Sequence, residues 1–390
     1  MVYLDYSATS PLLPEAKVAM LKAMNLVGNA SALHTPGHLA MNVIEDAREQ
    51  IAKLINASPE EILFTSGGSE SNNTITNIFS GEKVAVSAIE HPSLLDSAKL
   101  RCDTTIIPVD KNGRVSEAGL KDCLNGTTTP KLISIMLANN EIGTINDIKK
   151  LAKCAHGHDT LFHTDATQAL GKIKIDVKEL DVDYMTISSH KIGGPIGIGA
   201  LYIKKGSPFR PFIIGGHQER GRRAGTYQTV NIAGFGAAAK YCNEHKTWEI
   251  YQAKIKPLRD ELKKQILTEI PFSSANTPEK DSLPNLLNCS FEAAEGESIQ
   301  LYLDLEGNII TSTGSACASG DGKPSHVIMA TKNDAEVAHS SVRFSFGLDS
   351  TKKDISTVME HLPEIVKRLQ KISTLKAGKI KKEDSYYGKR

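Results

Sequence analysis

The alternation of short β-branched runs with helical segments is the feature of this sequence that most restricts its fold. Apolar residues at helical spacing separate the runs, and the runs themselves have the composition of buried strands. Because parallel strands need helical crossovers, this pattern predicts an α/β unit whose mainly parallel seven-stranded sheet is covered by helices. The predicted strands span residues 62–65, 83–88, 104–108, 132–137, 161–164, 184–188 and 200–204.

The pattern changes after residue 256. A chain of 390 residues is too long for one ordinary hydrophobic core, so we expect two domains. We predict a large domain of residues 15–256 and a smaller α+β domain of residues 257–374, followed by a polar, flexible tail of residues 375–390. The smaller domain has predicted helices at 258–269 and 352–370 and predicted strands at 286–291 and 342–346.

Charge and cysteine content exclude several classes of protein. Lys plus Arg number 46 and Asp plus Glu 45, a balance that argues against a direct nucleic-acid binder and against a membrane-surface protein. No run of about 18 apolar residues is present, and the first residues lack an apolar signal core. The six cysteines form no C-x-x-C pair, so no metal site is predicted. We therefore expect a cytoplasmic protein with free thiols.

Two predicted strands end at residues of opposite charge. Lys191 follows the strand at 184–188, and Asp165 follows the strand at 161–164. The carboxyl ends of strands are where open α/β sheets bind ligands. A lysine and a carboxylate at that edge suit pyridoxal phosphate, because the amine can bind it as a Schiff base and the carboxylate can pair with its pyridinium nitrogen. Lys191 alone would be interpreted as an ordinary surface lysine.

Other strand ends carry polar groups that suit the same ligand. Gly68 and Ser69 lie in a turn between a strand and a helix, where backbone amides and a hydroxyl can bind a phosphate. His91 could stack on a cofactor ring, and Asn140 could donate to a ring hydroxyl. Taken singly, a histidine at a helix start and an asparagine in a turn are common. Their convergence on one planar, phosphorylated ligand supports pyridoxal phosphate.

These motifs resemble those of fold-type I pyridoxal-phosphate enzymes of the class V aminotransferase group. More narrowly, they resemble cysteine desulfurases that serve iron–sulfur cluster assembly and thiolation of transfer RNA. The resemblance implies that residues 1–14 join the smaller domain. The matching stretches span nearly the whole chain: 3–9, 28–34, 66–73, 90–92, 139–143, 163–168, 188–194, 215–220, 223–226, 314–319 and 339–344.

The resemblance implies roles at the reacting centre. Lys191 would bind the cofactor and then move protons at the substrate carbon, while Asp165 would pair with the pyridinium nitrogen. His91 would stack on the ring as a further catalytic residue. Arg343, together with Asn140, would bind the substrate, since Arg is shaped to hold a carboxylate through two hydrogen bonds.

The resemblance also implies contacts to the rest of the cofactor and a homodimer. Thr226 would reach the phosphate from the second subunit. The other implied contacts, to the ring hydroxyl and the phosphate, come from Gly68, Ser69, Asn140, Gln168, Ser188 and His190.

Cys317 lies in a segment, 311–322, that consists almost entirely of small residues. A thiol in such a segment is expected to be exposed and reactive. In the family that the chain resembles, this thiolate takes the sulfur of L-cysteine, so that L-alanine leaves and a persulfide remains. The implied function is a cysteine desulfurase that supplies acceptor proteins, either an iron–sulfur scaffold or a tRNA-thiolation enzyme. A selenocysteine lyase, or another enzyme of the class V aminotransferase type, is the alternative.

Overall fold

Strands and helices alternate through the first part of the structure, a computed structural model that describes residues 1–314, 324–375 and 377–378. The strands here are β1 (Val2–Tyr3), β2 (Ile62–Thr65), β3 (Lys83–Ser87), β4 (Asp103–Ile107), β5 (Leu132–Ser134), β6 (Leu161–Asp165), β7 (Tyr184–Ser188) and β8 (Gly199–Ile203). The helices are α1 (Pro14–Met24), α2 (Thr35–Leu54), α3 (Gly68–Ile78), α4 (Pro92–Arg101), α5 (Glu117–Leu124), α6 (Ile148–His156), α7 (Val177–Leu180), α8 (Thr229–Glu244) and α9 (Thr247–Ile250).

The rest of the described chain adds smaller sheets and longer helices. Its elements are α10 (Lys256–Glu269), β9 (Ser273–Ala275), β10 (Leu286–Phe291), α11 (Gly296–Gly307), β11 (Ile309–Ile310), α12 (His326–Lys332), α13 (Ala335–His339), β12 (Ser341–Ser345) and α14 (Lys352–Ile372). In the part of the chain that the structure describes, every helix is too short or too polar to cross a lipid bilayer. Apart from residues 375, 377 and 378, the predicted tail lies outside the described residues.

The central sheet has seven strands in the spatial order β2-β8-β7-β6-β5-β3-β4. Its neighbours pair in parallel from β7 to β4, and β8 runs antiparallel to both β2 and β7. The predicted α/β fold with a mainly parallel seven-stranded sheet is therefore confirmed. The strand predicted at 132–137 ends at Ser134, although the amides of Ile135 and Leu137 still bond to carbonyls of β6.

The two largest of the four hydrophobic cores in the described residues accompany different sheets. The larger one lies between the central sheet and its helices and contains Ile44, Phe162 and Phe235. The second packs the antiparallel sheet β12-β10-β9 against α10, α11 and α14, with Leu287 and Phe344 fully buried. The division into residues 15–256 on one side, and 1–14 with 257–374 on the other, stays a prediction that these two cores support.

The direction of the strands determines where side chains meet. Strands β3, β5, β6 and β7 run in parallel, so their carboxyl ends lie at one edge of the sheet. The residues that follow these strands, and the start of α3 after β2, share that edge. Strand β12 of the second sheet reaches the same region through a bridge between Asp5 and Ser345. Side chains from both sheets can therefore face one cavity.

Burial in the second core predicts a large difference between two leucines of α11. Leu303 is fully buried, whereas Leu305 is 70% exposed. Replacing Leu303 with Ala should lower the free energy of unfolding by about 2–5 kcal/mol, because it leaves a cavity in a packed core. The matched change Leu305→Ala should alter it by no more than about 0.5 kcal/mol. Chemical denaturation of both variants measures the difference, and equal effects would contradict this packing.

Candidate active site

An open cavity of about 390 Å³ lies at the carboxyl edge of the central sheet. Side chains from β6 and β7, from the start of α3 and from β12 face it, so the groups come from distant parts of the sequence. The residues predicted from the sequence that line this cavity are Gly68, Ser69, His91, Asn140, Asp165, Gln168, Ser188, His190, Lys191 and Arg343.

Two predicted residues are not placed in this cavity. Thr226 is exposed and does not line it within the single chain. Cys317 lies outside the described residues, in the gap between 314 and 324. Gly314, the last described residue before that gap, does line the cavity. Three residues before Cys317, the described chain therefore forms part of the wall of the cavity.

A chain of hydrogen bonds fixes the carboxylate of Asp165. Its Oδ2 accepts from Asn72 Nδ2 at 2.9 Å, and its Oδ1 accepts from the Thr167 amide at 2.9 Å. Asn72 Nδ2 also donates to Ser93 Oγ at 2.9 Å, and Ser93 Oγ lies 2.8 Å from His91 Nδ1. The carboxylate and the imidazole are thus held in one network. Burial lowers the pKa of His91, although the nearby Asp165 opposes this effect, so the neutral ring is favoured.

Lys191 is held by backbone carbonyls from the start of the chain. It ends a short 3₁₀ turn, Ser189–Lys191, that follows β7 without a break. Its Nζ donates to the carbonyl oxygens of Ser7 at 2.6 Å and Ala8 at 2.7 Å. Gln168 Nε2 donates to the same Ser7 oxygen at 2.9 Å. The N-terminal segment therefore orients two groups that follow strands far from it in sequence.

The start of α3 can bind an anion. Its N-cap, Gly67, has a φ of 150° and offers no side chain to cap the first turn, so amide donors at this end are left for a ligand. Ser69, Ser188 and His190 face the same cavity. Burial first, and the nearby Lys191 second, lower the pKa of His190 to about 4, so this ring is neutral at pH 7 and can donate or accept one hydrogen bond.

Arg343 reaches the cavity from β12. Its Nη2 donates to Asp5 Oδ1 at 2.9 Å, and its Nη1 donates to the Asn140 carbonyl at 2.9 Å. Its buried Nε has no partner among the described residues. The guanidinium is thus oriented by two contacts and keeps a donor for a further acceptor. This is the arrangement expected of an arginine that receives a carboxylate.

Some residues on the cavity wall were not singled out from the sequence. Asn72, Ser93 and Thr167 are polar residues in helices or turns, and Ser7 contributes only its carbonyl to Lys191. The sequence offered a signal for Asn72, because it is a polar residue in the helix that follows the Gly-Gly-Ser turn. The contact of Ser7 depends on the tertiary fold, and the sequence offers no local signal for it.

The comparison of the sequence with known families assigns the chain to one group. The pattern of the family described as Aminotransferase class-V matches residues 2–358. The chain belongs to the class V aminotransferase family. Among relatives, it is 44% identical to a protein of Dictyoglomus turgidum named cysteine desulfurase IscS, over 96% of this chain and 97% of that protein. It is 41% identical to a cysteine desulfurase IscS of Methanosarcina thermophila, over 96% of this chain and 94% of that protein.

Solved structures of family members share this fold. A NifS-like protein from Rickettsia africae is 34% identical, with a TM-score of 0.87 over 94% of this chain and 99% of that one. A structure described as SspA in complex with cysteine is 32% identical, with a TM-score of 0.76 over 89% of this chain and 99% of that one. The similarity therefore extends over nearly the full length of the chain.

The cofactor of the class V family is pyridoxal phosphate, and the wall of the cavity fits it. Thr167 Oγ1 and Asn72 Oδ1 are buried on this wall and have no hydrogen-bond partner among the described residues. Such unsatisfied atoms are rare in native proteins and indicate a polar ligand. An amine, a fixed carboxylate and an uncapped helix start in one cavity match the groups of this cofactor.

Glu90, next to His91, is a buried acid that stays protonated at neutral pH. Its Oε1 accepts from the Ser87 hydroxyl and, at 2.7 Å, from the Met136 amide, whereas its Oε2 has no partner among the described residues. Burial raises the pKa of Glu90 to about 8 against these two bonds, and Asp165 adds to the rise. A buried carboxyl group that is mainly uncharged at neutral pH thus precedes His91 in the chain.

This raised pKa predicts how a Glu90→Gln variant depends on pH. The unfolded pKa of a glutamate is about 4.3, so from there to about pH 8 the native protein keeps a proton that the unfolded chain has lost. The stability contributed by wild-type Glu90 therefore falls as pH rises through this range. Glutamine does not titrate. The free energy of unfolding of the variant relative to wild type should increase by at most about 1.4 kcal/mol per pH unit.

Urea denaturation of both proteins between pH 5 and pH 8 measures this trend. The variant Glu60→Gln, at an exposed position, controls for the loss of one carboxyl group. A difference between Glu90→Gln and wild type that stays constant over this range would show that Glu90 is ionised in the native protein.

Proposed function

We propose that this protein is a pyridoxal-phosphate-dependent cysteine desulfurase that converts L-cysteine to L-alanine and keeps the sulfur as a persulfide on Cys317. The observation that carries the proposal is the meeting of Lys191, Asp165 and Arg343 in one cavity of a class V aminotransferase fold. Relatives of 40–44% identity named cysteine desulfurase support the choice of substrate.

In this proposal each residue has a role at a stated atom. Asp165, held by Asn72 and Thr167, pairs with the ring nitrogen of the cofactor, and neutral His91 stacks on the ring. When bound, pyridoxal phosphate supplies an electron sink for the substrate. Lys191 Nζ holds the cofactor and moves the proton at the substrate's Cα. The remaining contacts, to the phosphate and ring hydroxyl, come from Gly68, Ser69, Ser188, His190, Gln168 and Asn140.

Arg343 orients the substrate by binding its carboxylate. Arg343 Nε has no partner among the described residues and can donate to the carboxylate. A second hydrogen bond, from Nη2, would require the carboxylate to compete with Asp5. Cys317 then accepts the sulfur. A bond forms between its sulfur and the substrate sulfur as the substrate's Cβ–Sγ bond breaks. The electron pair stays on the carbon, which takes up a proton and leaves as alanine.

The wider context of the reaction follows from the same proposal. We infer a cytoplasmic homodimer that passes sulfur to an iron–sulfur scaffold or to a tRNA-thiolation enzyme. The balanced net charge supports protein acceptors over direct binding of nucleic acid. Exposed apolar side chains on α1 and the segment after it support a subunit interface: Val18, Leu21, Met24, Val27 and Leu33.

The variant Cys317→Ser tests the proposed function. It should bind pyridoxal phosphate with the visible absorbance of wild type, yet its release of sulfide from L-cysteine should fall to background, because the accepting thiolate is gone. Single-turnover incubation of the wild-type protein with L-cysteine should release alanine and add one sulfur to the peptide that contains Cys317. Mass spectrometry of that peptide measures the transfer.

The partly exposed Cys154 offers a matched control, since Cys154→Ser removes a thiol that the proposal does not use. Its turnover should equal that of wild type. Alanine release without sulfur on Cys317 would favour the lyase alternative, for which turnover on selenocysteine would be the decisive measurement. If the cofactor-loaded protein forms neither alanine nor the persulfide, the proposal that L-cysteine is the substrate is refuted.

The exposed position of Thr226 leads to a test in mixed dimers. If Thr226 binds the phosphate in the partner's site, Thr226→Ala homodimers should bind pyridoxal phosphate about tenfold more weakly, the effect of one lost hydrogen bond to a charged group. A dimer of one Thr226→Ala subunit and one Lys191→Ala subunit contains one intact site. That site should bind the cofactor with wild-type affinity. Weak binding by both sites of the mixed dimer would show that Thr226 acts within its own subunit.

A further inference from the structure

Lys172 is a buried lysine that has no role in the mechanism above. It is 1% exposed and ranks among the largest fully buried side chains of the protein. It does not line the cofactor cavity. Instead it lines a second, small cavity of about 40 Å³, and Lys191 contributes to the walls of both cavities. Lys172 is therefore connected to the active site through Lys191, which lines both cavities.

The contacts of Lys172 are unusual for a buried cation. Its Nζ donates to Gln168 Oε1 at 3.2 Å, and among the described residues no carboxylate lies within salt-bridge distance of it. Burial, followed by the charges of Lys191 and Arg343, lowers the pKa of Lys172 to about 7. A buried amine without a carboxylate partner destabilises the fold. Groups with such perturbed pKa values cluster at functional sites, which directs attention to its contact with Gln168.

The Gln168 carboxamide links Lys172 to the active-site lysine. Its Oε1 accepts from Lys172, and its Nε2 donates to the Ser7 carbonyl, which also accepts from Lys191. In its ammonium form, which predominates below about pH 7, Lys172 has donors and no acceptor, so its contact requires the oxygen end of the amide. The nitrogen end then faces the cofactor cavity. The contact with Ser7 selects the same orientation, but it lies inside the cavity, where a ligand can compete for it.

We propose that Lys172 is a positioning residue that holds the Gln168 carboxamide by its oxygen, so that Gln168 presents only a donor to the ring oxygen of pyridoxal phosphate. The inference rests on the proposed assignment of Gln168 to the ring hydroxyl. It does not require that cysteine be the substrate. A donor at the ring oxygen, and a nearby positive charge, both disfavour a proton at the cofactor-bound Lys191 nitrogen.

The test is a pH titration of the visible absorption band in protein loaded with pyridoxal phosphate, without any amino-acid substrate. The midpoint of this titration reports the proton at the Lys191 nitrogen. Lys172→Met should raise the midpoint by about 0.5 pH unit or more, because the variant loses the charge and no longer holds Gln168. Lys172→Arg keeps a charged donor and should restore much of the wild-type value. Lys174→Met, two residues away at an exposed position, should leave the midpoint unchanged.

A double-mutant cycle with Gln168→Ala separates positioning from charge alone. If Lys172 acts through Gln168, the shift caused by Lys172→Met should fall to less than half when Gln168 is already alanine. An equal shift in both backgrounds would overturn the proposal and leave only a through-space effect of charge. A wild-type midpoint in folded Lys172→Met would also overturn it.

If Lys172→Met does not fold, the same cycle is measured with Lys172→Gln. The amide of this variant carries no charge, and it can present either an oxygen or a nitrogen to Gln168, so it does not select the oxygen end of the Gln168 carboxamide. Failure of the desulfurase assignment would leave these measurements intact, because neither cysteine nor sulfur transfer enters them.

Discussion

The shared edge of the parallel strands is the constraint on which the site depends. Because β6 and β7 run side by side in one direction, Asp165 and Lys191 emerge at the same edge although their sequence positions differ by more than twenty residues. The crossover helices cover the faces of the sheet and leave that edge open. The helix α3 then begins at the same edge, after β2, and adds its amide donors. A single topological rule thus brings together an amine, a carboxylate and an anion-binding helix start.

The site combines groups that are unfavourable for folding with groups that the chemistry requires. Glu90 is buried as a neutral acid, and Lys172 is a buried amine without a carboxylate partner in the described part of the chain, while His190 and His91 are held as neutral rings. Each of these groups loses, on folding, the charge or the solvation that it has in the unfolded chain. Burial in the hydrophobic cores must offset this loss of folding free energy, as it usually does in proteins whose active sites are unfavourable for folding.

The fold could be predicted from the sequence because its pattern is local. Each strand of the central sheet is a short apolar run, and the parallel pairing follows from the helices between the runs. Lys191 and Asp165 could be predicted for the same reason, since their meeting depends only on strand direction. The contacts made by Ser7 and Lys172 could not. Ser7 acts through a backbone carbonyl, and Lys172 is an ordinary residue in a turn until the fold buries it.

The pairing of β1 with β11 has a mechanical consequence. Strand β1 leads into the carbonyls that hold Lys191, and β11 leads to Ser312, which pairs with the backbone of Arg343. A displacement of β11 would therefore strain the lysine contacts and the arginine contacts together. Residues 309–312 therefore couple the position of the segment that holds Lys191 to the position of the strand that carries Arg343.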